Sequence, residues 1–221
     1  MKTRKGKQSG TFGDRVYVSS KYGQIVRRRP RRGKGVTEAR VRARAAYFMV
    51  PPRWRRLTDE QRGAWNTAVA EGKGRSGHGR TAPSDGYHFF NMINCTLLAA
   101  GQSLVSDPPQ PVKFRRNPVR RLIITRRQGR IRLELEVSDA PAAFVFVLGS
   151  PPCSAGISVR SNYAIIGLLP APVRGRSDIT ELYIKKFGVP PVGTRVFIRT
   201  RQMINGWEDK AKETNALVPA G

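Results

Sequence analysis

Acidic residues are scarce in this chain. Asp and Glu number 15 against 41 Lys and Arg in 221 residues, for a formal charge of +26. So small a supply argues against chemistry that needs several clustered carboxylates, such as a nuclease centre built on metal ions. Asp59, Glu60, Glu134 and Glu136 fall at expected helix starts or on strand faces, where structural duties account for them. Asp178 and Glu181 form the nearest approach to a pair, and a loop-to-strand boundary accounts for that too. Cysteine is almost absent: Cys95 and Cys153 fall in different expected domains, lack metal-ligand spacing and read as two buried thiols. The two histidines, His78 and His88, have no neighbours of the type a site would need. A phosphate-cradling loop with Lys-Ser/Thr and a nucleophile elbow are both missing. The expectation is therefore a non-enzyme, with no catalytic residue, cofactor, metal or small-molecule substrate.

Long apolar runs are missing as well. No stretch approaches the ~18 residues of a membrane span, and MKTRKGKQSGTFGDRVYVSS at the start holds no signal-peptide run. The expectation is cytoplasmic synthesis without a signal peptide and no membrane partner, with later release in a particle or filament left open.

What the chain has in excess is arginine. RRRPRR stands at Arg27 to Arg32 and RWRR at Arg53 to Arg56. From the first residue through Arg56 there are 18 Lys and Arg against Asp14 and Glu38 alone, a balance of +16. Like charges at this density oppose compaction unless a counter-charge lies against them, and nucleic acid is the densest polyanion in a cell. Guanidinium forks phosphate oxygens bidentately and enters minor grooves, so arginine favours close contact over mere solubility. The candidate nucleic-acid-binding residues are Arg27, Arg28, Arg29, Arg31, Arg32, Lys34, Arg40, Arg42, Arg44, Arg53, Arg55 and Arg56. Lys73, Arg75 and Arg80, in the glycine-rich run Gly72 to Arg80, complete the set. A solvated basic face or a targeting tail is the alternative for the charge, and a flexible linker is the alternative for the glycine-rich run.

Apolar residues are sparse before Val36 and dense after Leu122, which predicts a tail, a helical unit and a β-rich domain. Residues 1–35 read as an extended basic arm, with short strands at Arg15–Val18 and Gln24–Val26. Residues 36–105 read as a small three-helix unit. Its first helix runs from an N-cap at Thr37 to Val50, stopped by Pro51-Pro52. The second is marked by a capping box of Thr58 and Gln61, with Trp54, Leu57, Trp65 and Ala68 inward. The third runs from Pro83-Ser84-Asp85 to Gly101, with Tyr87, Phe90, Ile93, Leu97 and Leu98 as its stripe. Residues 106–118 read as a proline-rich linker. Beyond it the period changes to two, predicting an antiparallel β-sandwich over 119–221. Leu122–Thr125 and Ile131–Val137 form a hairpin about Gln128-Gly129. Further strands are expected at Ala143–Leu148, Tyr163–Leu168, Ile179–Lys185 and Arg195–Met203, then a turn at Asn205-Gly206 and a strand near Asn215–Val218. The fold class is α+β.

Three resemblances bear on these elements. Gly193-Thr-Arg-Val-Phe-Ile-Arg-Thr-Arg201 with Asn205-Gly206-Trp207 resembles the last hairpin of a fibronectin type III domain, which implies a sandwich and no chemistry. Trp54-Arg-Arg-Leu57-Thr-Asp-Glu-Gln-Arg-Gly-Ala-Trp65, with Ala68 and Ala70, is similar to a helix of HMG-box DNA-binding proteins. Gly86-Tyr-His-Phe-Phe-Asn91 is similar to that family's first helix, but here the order is permuted and no wedge residue carries over. A Trp-anchored capped helix unrelated to that family is the alternative. The plan of the first half to two-thirds resembles an uncharacterised family of bacterial and prophage-type structural proteins, running from Lys21-Tyr-Gly-Gln24 through Thr37-Glu-Ala-Arg-Val-Arg42 to the proline-rich segment. It implies an assembly component.

Together these readings predict a structural protein that binds DNA or RNA with weak sequence specificity and forms a homo-oligomeric filament or particle. The alternatives are a virion-like assembly or decoration protein that binds mainly other proteins, and a ribosome-associated basic protein.

Overall fold

Alternation of apolar and charged residues from Ile131 to Val137 makes one strand face dry and the other wet. In the computed structural model this segment is the central strand of a three-stranded antiparallel sheet. The structure describes residues 2–4, 7–20, 23–29, 38–71, 83–138, 141 and 143–220. The architecture is α+β, and the chain divides into Met1–Arg42 and Ala43–Gly221.

In the first unit, β1 (Lys2–Arg4), β2 (Lys7–Phe12), β3 (Arg15–Ser20) and β4 (Gly23–Arg28) pair antiparallel in sequence order. Phe12 faces Arg15 across a turn that Gly13 opens with φ +58°, the sign such tight hairpin turns require. Gly13, one of the glycines that suggested an extended arm, thus serves a hairpin turn. Both short strands expected there fall inside β3 and β4, while residues 30–35 lie outside the described ones. None of the described side chains of this sheet is buried.

Helix α1 (Glu38–Arg55) starts in the first unit and ends in the second. Its expected start at Thr37 lies outside the described residues, and its expected end is corrected: Pro51 and Pro52 sit inside the helix. Val50 is buried and Trp54 packs beside it on the helical core, so tertiary burial outweighs the local preference against helix before proline.

The second unit continues with α2 (Asp59–Ala70) and α3 (Gly86–Ala99). The capping box forms as expected: the Gln61 amide N–H donates to Thr58 Oγ1 at 3.2 Å, and the Thr58 N–H donates to Gln61 Oε1 at 3.1 Å. Asp85 caps α3 by accepting from the His88 N–H at 2.9 Å, and Gly101, at φ +71°, follows its last turn. The helices meet closely: the Gly86 N–H donates to Asn66 Oδ1 at 2.9 Å. Trp65 stands edge-on to Phe89 and Phe90, with centroids 5.1 and 5.3 Å away.

The strands are β5 (Val119–Arg127), β6 (Arg130–Val137), β7 (Phe144–Gly149), β8 (Ala164–Leu168) and β9 (Arg176–Asp178), followed by α4 (Thr180–Phe187), β10 (Arg195–Ile204), β11 (Trp207–Glu208) and β12 (Lys212–Leu217). One sheet has the order β5-β6-β9. The other has the order β11-β10-β7-β8, with β12 also paired to β10. Gln128-Gly129 and Asn205-Gly206 both have positive φ at both residues, the signature of type I′ turns, as Gly-containing dipeptides predict. Arg174-Gly175 adopts the same signs in a turn the sequence reading missed.

Each face of the five-stranded sheet meets a different core. Val145, Val147, Val196 and Ile198 share a cluster with Leu122, Leu133 and Leu135 of the other sheet. Phe146, Leu148, Met203 and Trp207 share one with Trp65, Phe89, Phe90 and Ile93 of the helices. Burying such side chains contributes about 1.5–3 kcal/mol each. The proline-rich stretch joins in: Leu104, Val105, Val112 and Phe114 pack on the helical cluster. The Trp65 Nε1–H donates to the Ser106 carbonyl at 2.7 Å.

The strand expected at Ile179–Lys185 is instead helix α4. Ile179 and Tyr183 are buried, with Leu182 and Phe187 packed beside them, which is helical rather than alternating spacing. Asp178 Oδ1 accepts from the Thr180 N–H at 2.9 Å at its start. Gly188, at φ +78°, ends it.

Candidate nucleic-acid interface

The fifteen cations selected from sequence fall into three groups. Arg27 and Arg28 lie on β4, with Arg29 just beyond it, and all three are exposed. Across the ladder Arg28 faces Arg15 and Arg27 faces Val16, so successive arginines point to opposite faces of the sheet. Arg28 approaches Asp14 at 3.7 Å, with side chains 81% and 70% exposed, a pair worth little in water. The Arg29 amide N–H donates to the Asp14 carbonyl.

In the second group, Arg44, Arg53 and Arg55 are exposed on α1 and Arg56 is exposed just after it. Arg44 and Arg55 are eleven residues apart, so they share one side of the helix about 16 Å apart. Arg53 and Arg55 sit in the last turn, where cations also suit the helix dipole. Arg40 and Arg42 belong to α1 by their backbone, but their side chains lie outside the described set. Arg31, Arg32, Lys34, Lys73, Arg75 and Arg80 form the third group and lie wholly outside the described residues.

Six carboxylates of the second unit are engaged elsewhere. Glu136 pairs with Arg121 at 2.7 Å, Asp178 with Arg132 at 2.9 Å, Glu213 with Arg199 at 2.8 Å and Glu208 with Arg201 at 2.8 Å. Glu134, only 10% exposed, lies between Arg132 and Arg176 at 3.6 and 3.3 Å. Asp59 pairs with Arg62 at 2.7 Å within α2. Among the described residues no ion pair involves Arg27, Arg29, Arg44, Arg53, Arg55 or Arg56.

At Asp178, burial works against the charged form. The Thr180 hydroxyl and amide and the Arg132 guanidinium outweigh it and hold the carboxyl below its ordinary range. Asp178 thus accepts from the first N–H of α4 and pairs with Arg132, one residue ahead of the N-cap Ile179. Burial pushes the Cys95 thiol up, which makes it a poor nucleophile. Cys95 and Cys153 are both free thiols. Among the described residues no group of three or more His, Cys, Asp or Glu is placed to hold a metal ion. None of their helices is long and apolar enough to cross a membrane.

Sequence reasoning missed a further basic run. Between Asp107 and Glu134 stand nine cations and no acid: Lys113, Arg115, Arg116, Arg120, Arg121, Arg126, Arg127, Arg130 and Arg132. The signal was present as a charge run, but the hairpin pattern already accounted for those residues. Comparison with family models, with curated proteins and with solved structures finds no match to this chain.

Proposed function

We propose that this chain is a non-enzymatic structural protein that coats or packages DNA or RNA through its arginine-rich N-terminal region and assembles with copies of itself into a filament or particle. The observation that carries this reading is where the carboxylates go. In Ala43–Gly221, Asp59, Glu134, Glu136, Asp178, Glu208 and Glu213 pair with arginines of the sheets and of α2, while Arg44, Arg53, Arg55 and Arg56 stand exposed without an acidic partner among the described residues. Arg27 and Arg29 are in the same position in the first unit. A phosphate polymer is the partner whose chemistry suits exposed guanidinium groups. Sequence specificity is weak in this reading, because base-edge recognition calls for side chains set into a groove and these arginines suit the backbone.

In the same proposal, the two sheets of residues 119–218 form a fibronectin type III-like β-sandwich bearing a three-helix unit. Their common core supports it, with α4 standing where a strand was expected. A role in a virion-like particle, bound to other proteins, is the second reading. The sheet β1–β4 favours it: Phe12 is 68% and Ile25 52% exposed, and a small sheet without a core depends on a partner surface.

The test is retardation of defined DNA and RNA by the full chain across a salt series. With ~8–10 phosphate contacts, affinity falls by roughly 10³–10⁵ between 50 and 200 mM salt. Changing Arg27, Arg28, Arg29, Arg31 and Arg32 to Gln is expected to remove most of that dependence. Full-strength retardation by this variant, or none by the unaltered chain at low salt, overturns the proposal.

A further inference from the structure

Within Ala43–Gly221, we infer that the tip of the β5–β6 hairpin is a second contact for the nucleic-acid phosphate backbone, separate from the N-terminal cations. It deepens the coating function proposed above but stands on different residues. Arg127 and Arg130 are the first cross-strand pair after the turn, directly opposite each other, and both are exposed. Like charges in that position oppose strand pairing. A turn needs no such pair, and Gln128 at φ 49° with Gly129 at φ 74° already sets the hairpin.

The strand period places Thr125, Arg127, Arg130 and Arg132 on the outer face of the sheet, with Arg126 on the other. That face borders an open groove of about 1210 Å³, lined also by Gln128 and Thr180. The groove's carboxylates are Glu134, Asp178 and Glu181. Glu134 is held by Arg132 and Arg176, and Asp178 by Arg132. Glu181 opens α4. Among the described residues no ion pair reaches Arg127 or Arg130.

The hairpin therefore presents two exposed guanidinium forks beside neutral donors, Gln128 and Thr125. This is the chemistry that recognises phosphate oxygens along a chain. All cations of the hairpin are arginine, which favours phosphate over a diffuse acidic surface. A two-stranded ribbon is also narrow enough to enter a major groove. With the N-terminal cations it gives one chain two points of attachment, and two linked contacts bind a polymer far more tightly than either alone.

The experiment compares five full-length chains on one 30-base-pair duplex by filter binding across a salt series. They are the unaltered chain, R127Q/R130Q, R127K/R130K, a chain with Arg27, Arg28, Arg29, Arg31 and Arg32 changed to Gln, and that chain combined with R127Q/R130Q. R127Q/R130Q is expected to bind roughly tenfold more weakly near 100 mM salt, with a salt slope shallower by about two. R127K/R130K keeps the slope, which separates lost charge from a misfolded hairpin. Residual binding of the N-terminal variant is expected to vanish in the combination. Unchanged affinity and slope for R127Q/R130Q overturns the inference and leaves the N-terminal reading standing. Loss confined to R127Q/R130Q does the reverse.

Discussion

Gly206 sits so close to Ile93 that a β-carbon on it would lie 2.6 Å from Ile93 Cγ2 and 2.9 Å from the Ile93 carbonyl oxygen. The turn between β10 and β11 is thereby pressed against the middle of α3. Gly206 also has φ +81°, so a side chain there is disfavoured twice. Gly206→Ala is expected to cost roughly 2–4 kcal/mol, from left-handed strain and from overpacking. Gly101→Ala is the control: φ is +71° at the end of α3 but nothing lies within 4 Å, so only the left-handed strain of about 1 kcal/mol remains. Urea unfolding of both variants measures the difference.

Phe89 joins the helices to the sheet. It is fully buried, with Trp65 on one side at 5.1 Å and Trp207 on the other at 5.3 Å. Phe89→Ala is expected to destabilise by about 3–5 kcal/mol. In a chain whose Trp54 and Trp65 are changed to Phe, far-ultraviolet helical signal and Trp207 fluorescence should still be lost in one transition, and separate transitions would contradict a shared core.

Asn94 is completely buried on α3. Its Oδ1 accepts from the Val105 N–H at 2.8 Å, and its amide donates to the Val105 carbonyl at 3.2 Å. Asn94→Leu strands both backbone groups and is expected to cost roughly 2 kcal/mol. Faster amide exchange at Val105 is the local readout.

Acid should weaken the second unit through two carboxylates at helix starts, Asp85 and Asp178. The His88 backbone N–H, ahead of the smaller opposing effect of burial, holds the Asp85 carboxyl below its ordinary value. Asp178 is lowered because Thr180 and Arg132 outweigh its burial. A depressed folded pKa gives stability that is complete above about pH 4 and is lost as pH falls through the folded value. The double variant Asp85→Asn, Asp178→Asn keeps capping oxygens but cannot titrate there. Its melting temperature is expected to fall less steeply than the unaltered chain's between pH 5 and 2.

Arg53, Arg55 and Arg56 allow a test inside the second unit. Changing all three to Gln is expected to reduce the salt slope for DNA binding by about three while leaving thermal stability nearly unchanged. An unaltered slope would remove this end of α1 from the interface.

Much of the second unit was legible wherever local chemistry and tertiary packing agree. Thr58 with Gln61, Gln128-Gly129, Asn205-Gly206 and the alternation of Ile131 to Val137 all took their expected form. α4 was misread because Ile179, Leu182, Tyr183 and Ile184 have strand-like side chains. The cue that decides it is the spacing of Ile179, Tyr183 and Phe187 between Asp178 and Gly188. Phe89 was left out of the third helix's stripe because one stripe presumes one neighbour, and α3 is covered on two sides. Pro51-Pro52 ends a helix by local rules, yet Val50 and Trp54 are held by a core that only the folded chain reveals. For the candidate interface, charge density named the residues, but a count of cations does not say which carboxylates are already taken. Arg127 and Arg130 escaped because the hairpin pattern already accounted for them.

The ribbon of β1 to β4 has strands and turns but, among its described side chains, none that is buried. Backbone bonds alone give such a ribbon marginal persistence in water. Whatever it lies against will therefore decide how long it holds its form. Its amide protons make a natural gauge of assembly, quick to exchange in the free chain and slow once a neighbour covers Phe12 and Ile25.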